Sequence, residues 1–126
     1  MIAVVAAVIR QGDSVLIAQR PAGGQLAGRW EFPGGKIEKG ESPEQALSRE
    51  LREELDIEAR AEQILCALTT VHPDGRDILI LFYEARIVSG QPRPVEEAQT
   101  RFVPVADLGS YDLCEADRAF AGRCLI

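Results

Sequence analysis

Gly35 to Ile57 reads GKIEKGESPEQALSRELREELDI, and this stretch holds both the clearest helix signal and the densest run of acids in the chain. Ser42 is a good N-cap, Pro43 suits the first helical position, where its missing N–H is not needed, and Gln45 stands where a capping box places Glu or Gln. The pattern predicts a helix starting at Pro43. On a 100° wheel Leu47, Leu51 and Leu55 make an apolar stripe for the core, while Glu50, Glu53 and Glu54, at i, i+3 and i+4, bring three carboxylates onto an adjoining face. Like charges at that spacing repel by roughly 0.2–0.5 kcal/mol per pair, so something must offset them. Two readings fit. One is a solvated acidic face balanced by Arg49 and Arg52. The other is a hard divalent cation, because Mg²⁺ is held by one or two carboxylates, retained waters and substrate phosphate oxygens.

The rest of the chain sets limits on both readings. Its 126 residues suit one domain with one sizeable core, spanning 1–126, and 46% apolar with 27% charged residues is an ordinary globular balance. The formal charge of −6 makes a poor partner for a nucleic-acid backbone, so no polymeric nucleic acid is expected, and a polyphosphate ligand would need cations to mediate. Cys66, Cys114 and Cys124 are odd in number and lack metal-ligand spacing, which reads as buried thiols in a reducing cytoplasm. The apolar run Ile2 to Ile9 has no basic flank and is too short to span a bilayer; it reads as a strand, and no membrane association is expected.

That run, continued to Arg10, is nearly unbroken Val, Ala and Ile, the pattern of a strand buried on both faces. Gln11-Gly12-Asp13 turns it into a second strand, Ser14 to Arg20. A Gly-rich loop, Pro21 to Arg29, leads to the short piece Trp30-Glu31-Phe32 and then Pro33-Gly34-Gly35. Beyond the helix, Ile57 to Val71 and Ile78 to Val88 read as strands joined by the turn His72-Pro73-Asp74-Gly75, with His72 expected in solvent in preference to the alternative of a place at a pocket rim. Pro92 to Glu97 is a loop, Arg101 to Val105 a short extended piece, and Ala106-Asp107-Leu108 a helical turn. A last helix, about Cys114 to Cys124, should bury Leu113, Ala116, Phe120 and Cys124. Strands on both sides of one strong helix, closed by another, predict an α/β fold with a mixed sheet and helices on its faces.

Taken position by position, the opening stretch is Gly35, five residues, Glu41, seven residues, Arg49-Glu50-Leu51, one residue, Glu53-Glu54, one residue, Asp56 and Ile57. This resembles the Nudix box at every fixed position except the last glycine, where Asp56 stands. That residue would lie just past the helix C-terminus, where positive φ is common and Asp is tolerated at a cost of about 1 kcal/mol. The longer run LIAQRP…LAGRWEFPGGKIEKGESPEQALSRELREEL is similar to the MutT branch of Nudix hydrolases.

The resemblance implies an α/β/α sandwich and hydrolysis of a nucleoside triphosphate to monophosphate and pyrophosphate. It implies nucleotide-pool sanitation, such as removal of 8-oxo-dGTP in support of DNA repair, or alternatively a CTP, dCTP or other nucleoside diphosphate-X preference. A non-catalytic base-binding module is the remaining alternative; such modules tend to lose box acids, and Glu50, Glu53 and Glu54 are all present. By resemblance the carbonyl of Gly35 and the carboxylates of Glu50, Glu53, Glu54 and Glu97 would hold Mg²⁺, with Mn²⁺ able to replace it. Glu97 would serve as metal ligand or base, and Arg49 would orient the glutamates. Glu41, before the N-cap, fits a structural or a weak metal role equally. Arg20, Phe32, Lys36 and Asp117 are the candidate substrate contacts, Lys36 equally a surface residue and Asp117 equally the partner of Arg118 or Arg123 on a surface helix. An ionised Asp117 could only accept from the base. The expected partner is a small nucleotide, and the expected assembly a monomer or dimer.

Overall fold

In the computed structural model, which describes residues 1–125, the helix starts where the capping chemistry places it. Helix α1 spans Pro43–Leu55. Ser42 Oγ accepts from the Gln45 N–H at 3.1 Å, and Gln45 Oε1 accepts from the Ser42 N–H at 2.9 Å, closing the capping box. At the other end Asp56 takes φ 56° and ψ 41°, so the aspartate does adopt the left-handed cap that a glycine would fill without strain. Its N–H donates to Arg52 O at 3.1 Å, and its carboxylate accepts from Arg93 Nε at 2.9 Å.

Seven strands form, β1 Ile2–Gln11, β2 Ser14–Gln19, β3 Trp30–Glu31, β4 Gly34–Lys36, β5 Glu58–Val71, β6 Asp77–Ser89 and β7 Gln99–Pro104, and of these β4 was not expected as a strand. The sheet runs β3-β2-β1-β6-β5, with β4 also on β1 and β7 also on β2. β1 is parallel to β6 and antiparallel to β2 and β4, so the sheet is mixed. A 3₁₀ turn, Val105–Ser110, leads to helix α2, Glu115–Cys124.

The unbroken apolar run of β1 is explained by its place in the middle of two cores. Val5, Ala7 and Ile9 pack with Leu47, Leu51 and Leu55 of α1 on one face. Ala6 and Val8 pack with Phe32, Phe82, Ala116 and Phe120 on the other, under α2. One helix on each face of the sheet makes the α/β/α sandwich. Each fully buried leucine of α1 contributes about 1.5–3 kcal/mol.

Two expectations are corrected at the C-terminal helix. Cys114 is the N-cap, and Cys124 is exposed at the last position, because the core-facing stripe of Ala116, Phe120 and Ala121 passes to Leu125. Of the three free thiols only Cys114 is buried, Cys66 being half-buried; burial pushes the Cys114 thiol up to about 12. β7 also starts earlier than the expected extended piece, because Gln99 and Thr100 already pair with Gln19 and Ala18. Among the described residues no helix is long and apolar enough to cross a membrane.

Candidate active site

Strand β4 pairs with β1 so that Gly35 lies opposite Val5, and this register brings Gly35 against α1. A Cβ on Gly34 would run into the Val5 carbonyl, and one on Gly35 would fall 2.5 and 2.6 Å from the two Glu50 carboxylate oxygens. The glycine pair is therefore needed for close approach, not for turn geometry, and the space a side chain would take is filled by an acid.

Arg49 holds the acids in place. Its Nε and Nη2 donate to the two Glu41 oxygens at 2.7 and 2.9 Å, its Nη1 donates to Glu50 at 2.9 Å and Glu53 at 3.4 Å, and Nη2 also donates to Lys36 O at 3.0 Å. Within this network Arg49 and the Glu38 N–H hold the Glu41 carboxyl below the usual range. Arg49 thus contacts Glu41, Glu50 and Glu53 at once.

Glu54 and Glu97 behave differently. Each has a buried Oε2 with no hydrogen-bond partner. Burial, then the charges of Glu97, Glu50 and Glu31, push Glu54 up to about 10; burial and Glu31 push Glu97 up to about 7. Glu50 is raised as well, first by burial. Orphaned, destabilised carboxylate oxygens beside a Gly35 cradle are a donor set of hard oxygens, suited to a divalent cation of the Mg²⁺ type. Among the described residues no three acids stand together at ligand spacing. Glu53 is the most open of the set, with its side chain 51% exposed and tied only to Arg49.

A cavity of about 690 Å³ joins this acidic end to the other predicted residues: Gly35, Lys36, Glu54 and Glu97 line it together with Arg20, Phe32 and Asp117. Glu50, Glu53 and Arg49 are not among the residues that line it. At the far end Asp117 is buried, and its Oδ1 accepts the Phe32 N–H at 2.9 Å. The surface-pair reading of Asp117 is thereby overturned: Arg118 instead donates to Tyr111 O at 2.8 Å. Burial, then Glu31, pushes the Asp117 carboxyl up to about 8, so near neutrality it carries a proton and can donate as well as accept. Only once ionised, above about pH 8, is Asp117 restricted to accepting.

Arg20 Nη1 donates to Glu31 at 3.1 Å and its Nε to Gln25 O at 3.1 Å, so it is fixed inside the cavity. The ring of Phe32 packs edge-on against Phe82 and Phe120, leaving its backbone to face the site. Trp30 is core, edge-on to Tyr111. His72 was expected in solvent but sits half-buried on the cavity rim, its Nδ1 accepting the Asp74 N–H at 3.1 Å. Glu31 was missed. The alternation Trp30-Glu31-Phe32 carried the signal, since two aromatics facing the core turn the residue between them to the other side.

Comparison with known proteins agrees with this geometry. The NUDIX domain model matches residues 1–124. The chain is 37% identical over 123 residues to a putative 8-oxo-dGTP diphosphatase 2 of Mycobacterium tuberculosis, covering 93% of this chain and 83% of that protein. It is 63% identical over 59 residues to the CTP pyrophosphohydrolase of Escherichia coli K12, a stretch that is 47% of this chain and 44% of that protein. The crystal structure of a MutT Nudix hydrolase from Burkholderia pseudomallei matches with a TM-score of 0.84 at 28% identity, covering 97% of this chain and 96% of that one. With the box acids on α1, the glycine cradle on β4 and a family match over nearly the whole length, the chain belongs to the Nudix family and is a Nudix hydrolase.

Proposed function

We propose that the chain acts as one domain in the cytoplasm, hydrolysing nucleoside triphosphates to monophosphate and pyrophosphate with Mg²⁺, for which Mn²⁺ can substitute. The observation that carries this is the single cavity shared by the orphaned acids, Glu54 and Glu97, and by the buried Asp117–Phe32 pair. One end suits a cation and phosphates, the other a hydrogen-bonding base.

Mg²⁺ bound by the Gly35 carbonyl and by Glu50, Glu53, Glu54 and Glu97 would neutralise phosphate charge, which phosphoryl transfer needs more than it needs covalent chemistry. The chain's own residues supply positioning. Arg49 keeps Glu50 and Glu53 from splaying apart, and Lys36 at the cavity edge reaches phosphate oxygens. As water oxygen bonds to an internal phosphorus and the bond to the leaving pyrophosphate breaks, the water's proton passes to a carboxylate of the set. Arg20, the Phe32 backbone and Asp117 hold the base.

Similarity to an 8-oxo-dGTP diphosphatase along most of the chain supports an oxidised guanine nucleotide as substrate and a role in clearing the nucleotide pool. The 63% identity to a CTP pyrophosphohydrolase favours a second reading, a cytosine triphosphate. A release assay over 8-oxo-dGTP, dGTP, CTP, dCTP and ADP-ribose, with and without Mg²⁺, separates them. Turnover of a triphosphate only with metal supports the proposal, and turnover of ADP-ribose alone overturns it.

A further inference from the structure

Leu26 stands at the mouth of the same cavity with φ 57°, in the left-handed region, and the residue is 42% exposed. Both features are unfavourable. Residues other than Gly, Asn and Asp rarely take this φ, and an apolar side chain is held in water at the lip of a pocket. The turn does not need a leucine, since Gly23 and Gly28 already supply left-handed positions in this loop at φ 88° and 79°. Packing does not need it either, because Leu26 belongs to neither core.

The backbone around it is nevertheless fixed. The Arg29 N–H donates to Leu26 O at 3.1 Å, the Gly28 N–H to Arg20 O at 3.2 Å, and Arg20 Nε to Gln25 O at 3.1 Å. A strained turn is pinned so that one apolar side chain meets the cavity opening, and strain kept at a pocket points to a role in binding.

We infer that Leu26 is a substrate-positioning residue: the Pro21–Arg29 loop carries it as an apolar cover for the flat face of the nucleobase, at the Arg20–Phe32–Asp117 end of the cavity. The inference rests on the triphosphate reading above. Arg20 ties cover to seat, because one guanidinium grips Gln25 O in the loop and Glu31 in the cavity. A flat apolar contact reads no hydrogen bonds, so Leu26 strengthens binding of either base type and leaves the choice between them to Asp117.

The test uses Leu26→Asn, which tolerates the left-handed backbone but is polar, and Leu26→Met, which stays apolar. Titration calorimetry with 8-oxo-dGMP and dCMP reads the base seat without turnover, and KM, kcat and the nucleotide-free Tm are measured beside it. For Leu26→Asn, binding of both monophosphates should weaken about tenfold and KM should rise in step, with kcat little changed and Tm not lowered; Leu26→Met should bind like wild type. Wild-type binding by Leu26→Asn, or a Tm that falls along with affinity, overturns the inference while the triphosphate reading stands. A wild-type protein that neither binds the monophosphates nor hydrolyses a triphosphate overturns both.

Discussion

The Glu50 carboxylate occupies the place that a Gly35 side chain would need, its oxygens 2.5 and 2.6 Å from where a Cβ would sit. Gly35→Ala should therefore push Glu50 out of the ligand set while the β4 pairing with β1 survives. Turnover is expected to fall about 100-fold or more, since misplacing a catalytic group by an ångström has effects of that size. Steady-state kinetics beside a thermal melt check this. Near-normal turnover would mean that Glu50 does not act from this position.

Glu54→Gln keeps the shape of a buried acid whose Oε2 has no partner and which, at about 10, is held in its neutral form near pH 7. In the metal-free protein this variant should be as stable as wild type or more so, because wild-type Glu54 ionises on unfolding, which favours the unfolded chain, and Gln cannot. Its turnover should nevertheless drop by orders of magnitude. Glu53→Gln, at an open position held by Arg49, should lose turnover comparably with little change in stability. Either variant working at wild-type rate with Mg²⁺ would remove that residue from the ligand set.

The raised acids also set a pH dependence. Glu54, Glu97 and Asp117 have folded pKa values of about 10, 7 and 8, above ordinary values of 4.5, 4.5 and 3.8. The folded state thus binds more protons than the unfolded one between those limits, so this part of the metal-free stability is full below about pH 4 and is lost as pH rises toward 10. A cation bound to the ionised acids opposes that loss. Tm without metal should fall from pH 6 to pH 9, and the rise produced by millimolar Mg²⁺ should grow over the same range. A Mg²⁺ effect that shrinks with pH, or none at all, would favour a merely solvated acidic face.

Local chemistry made α1 legible, since Ser42, Pro43, Gln45 and the three leucines each act within a few residues, and even the left-handed Asp56 followed from its place after the last turn. β1 was legible because burial on both faces leaves no polar position from Ile2 to Ile9. The three acids of α1 that we propose as ligands stood out in the sequence through their spacing. What lay beyond local reasoning depends on contacts far apart in the chain. Asp117 is made a buried carboxyl by Phe32, 85 residues away, and nothing in the Cys114–Arg118 sequence shows that. His72 looked like any turn residue because only the fold places its turn at the cavity rim. Cys124 was misjudged because helical periodicity does not say where the covered face ends.

Asp117→Asn keeps an oxygen for the Phe32 N–H and replaces a titrating group with a fixed donor. Above pH 8, where Asp117 carries its charge, the ratio of kcat/KM between guanine-type and cytosine-type triphosphates should change about tenfold or more, as one buried hydrogen bond to a charged group is worth ~1.5–3 kcal/mol. The difference between the two proteins should also be greatest above pH 8, where Asp117 ionises. An equal change for both base types at every pH would place base choice elsewhere.

The most direct test of a Mg²⁺-dependent pyrophosphohydrolase is the identity of the products. With 8-oxo-dGTP or CTP and millimolar Mg²⁺, separated by ion-exchange chromatography, the wild-type protein should give monophosphate and pyrophosphate in equal amounts, and chelation should stop both. Release of diphosphate and inorganic phosphate, or turnover that persists in excess chelator, would contradict it.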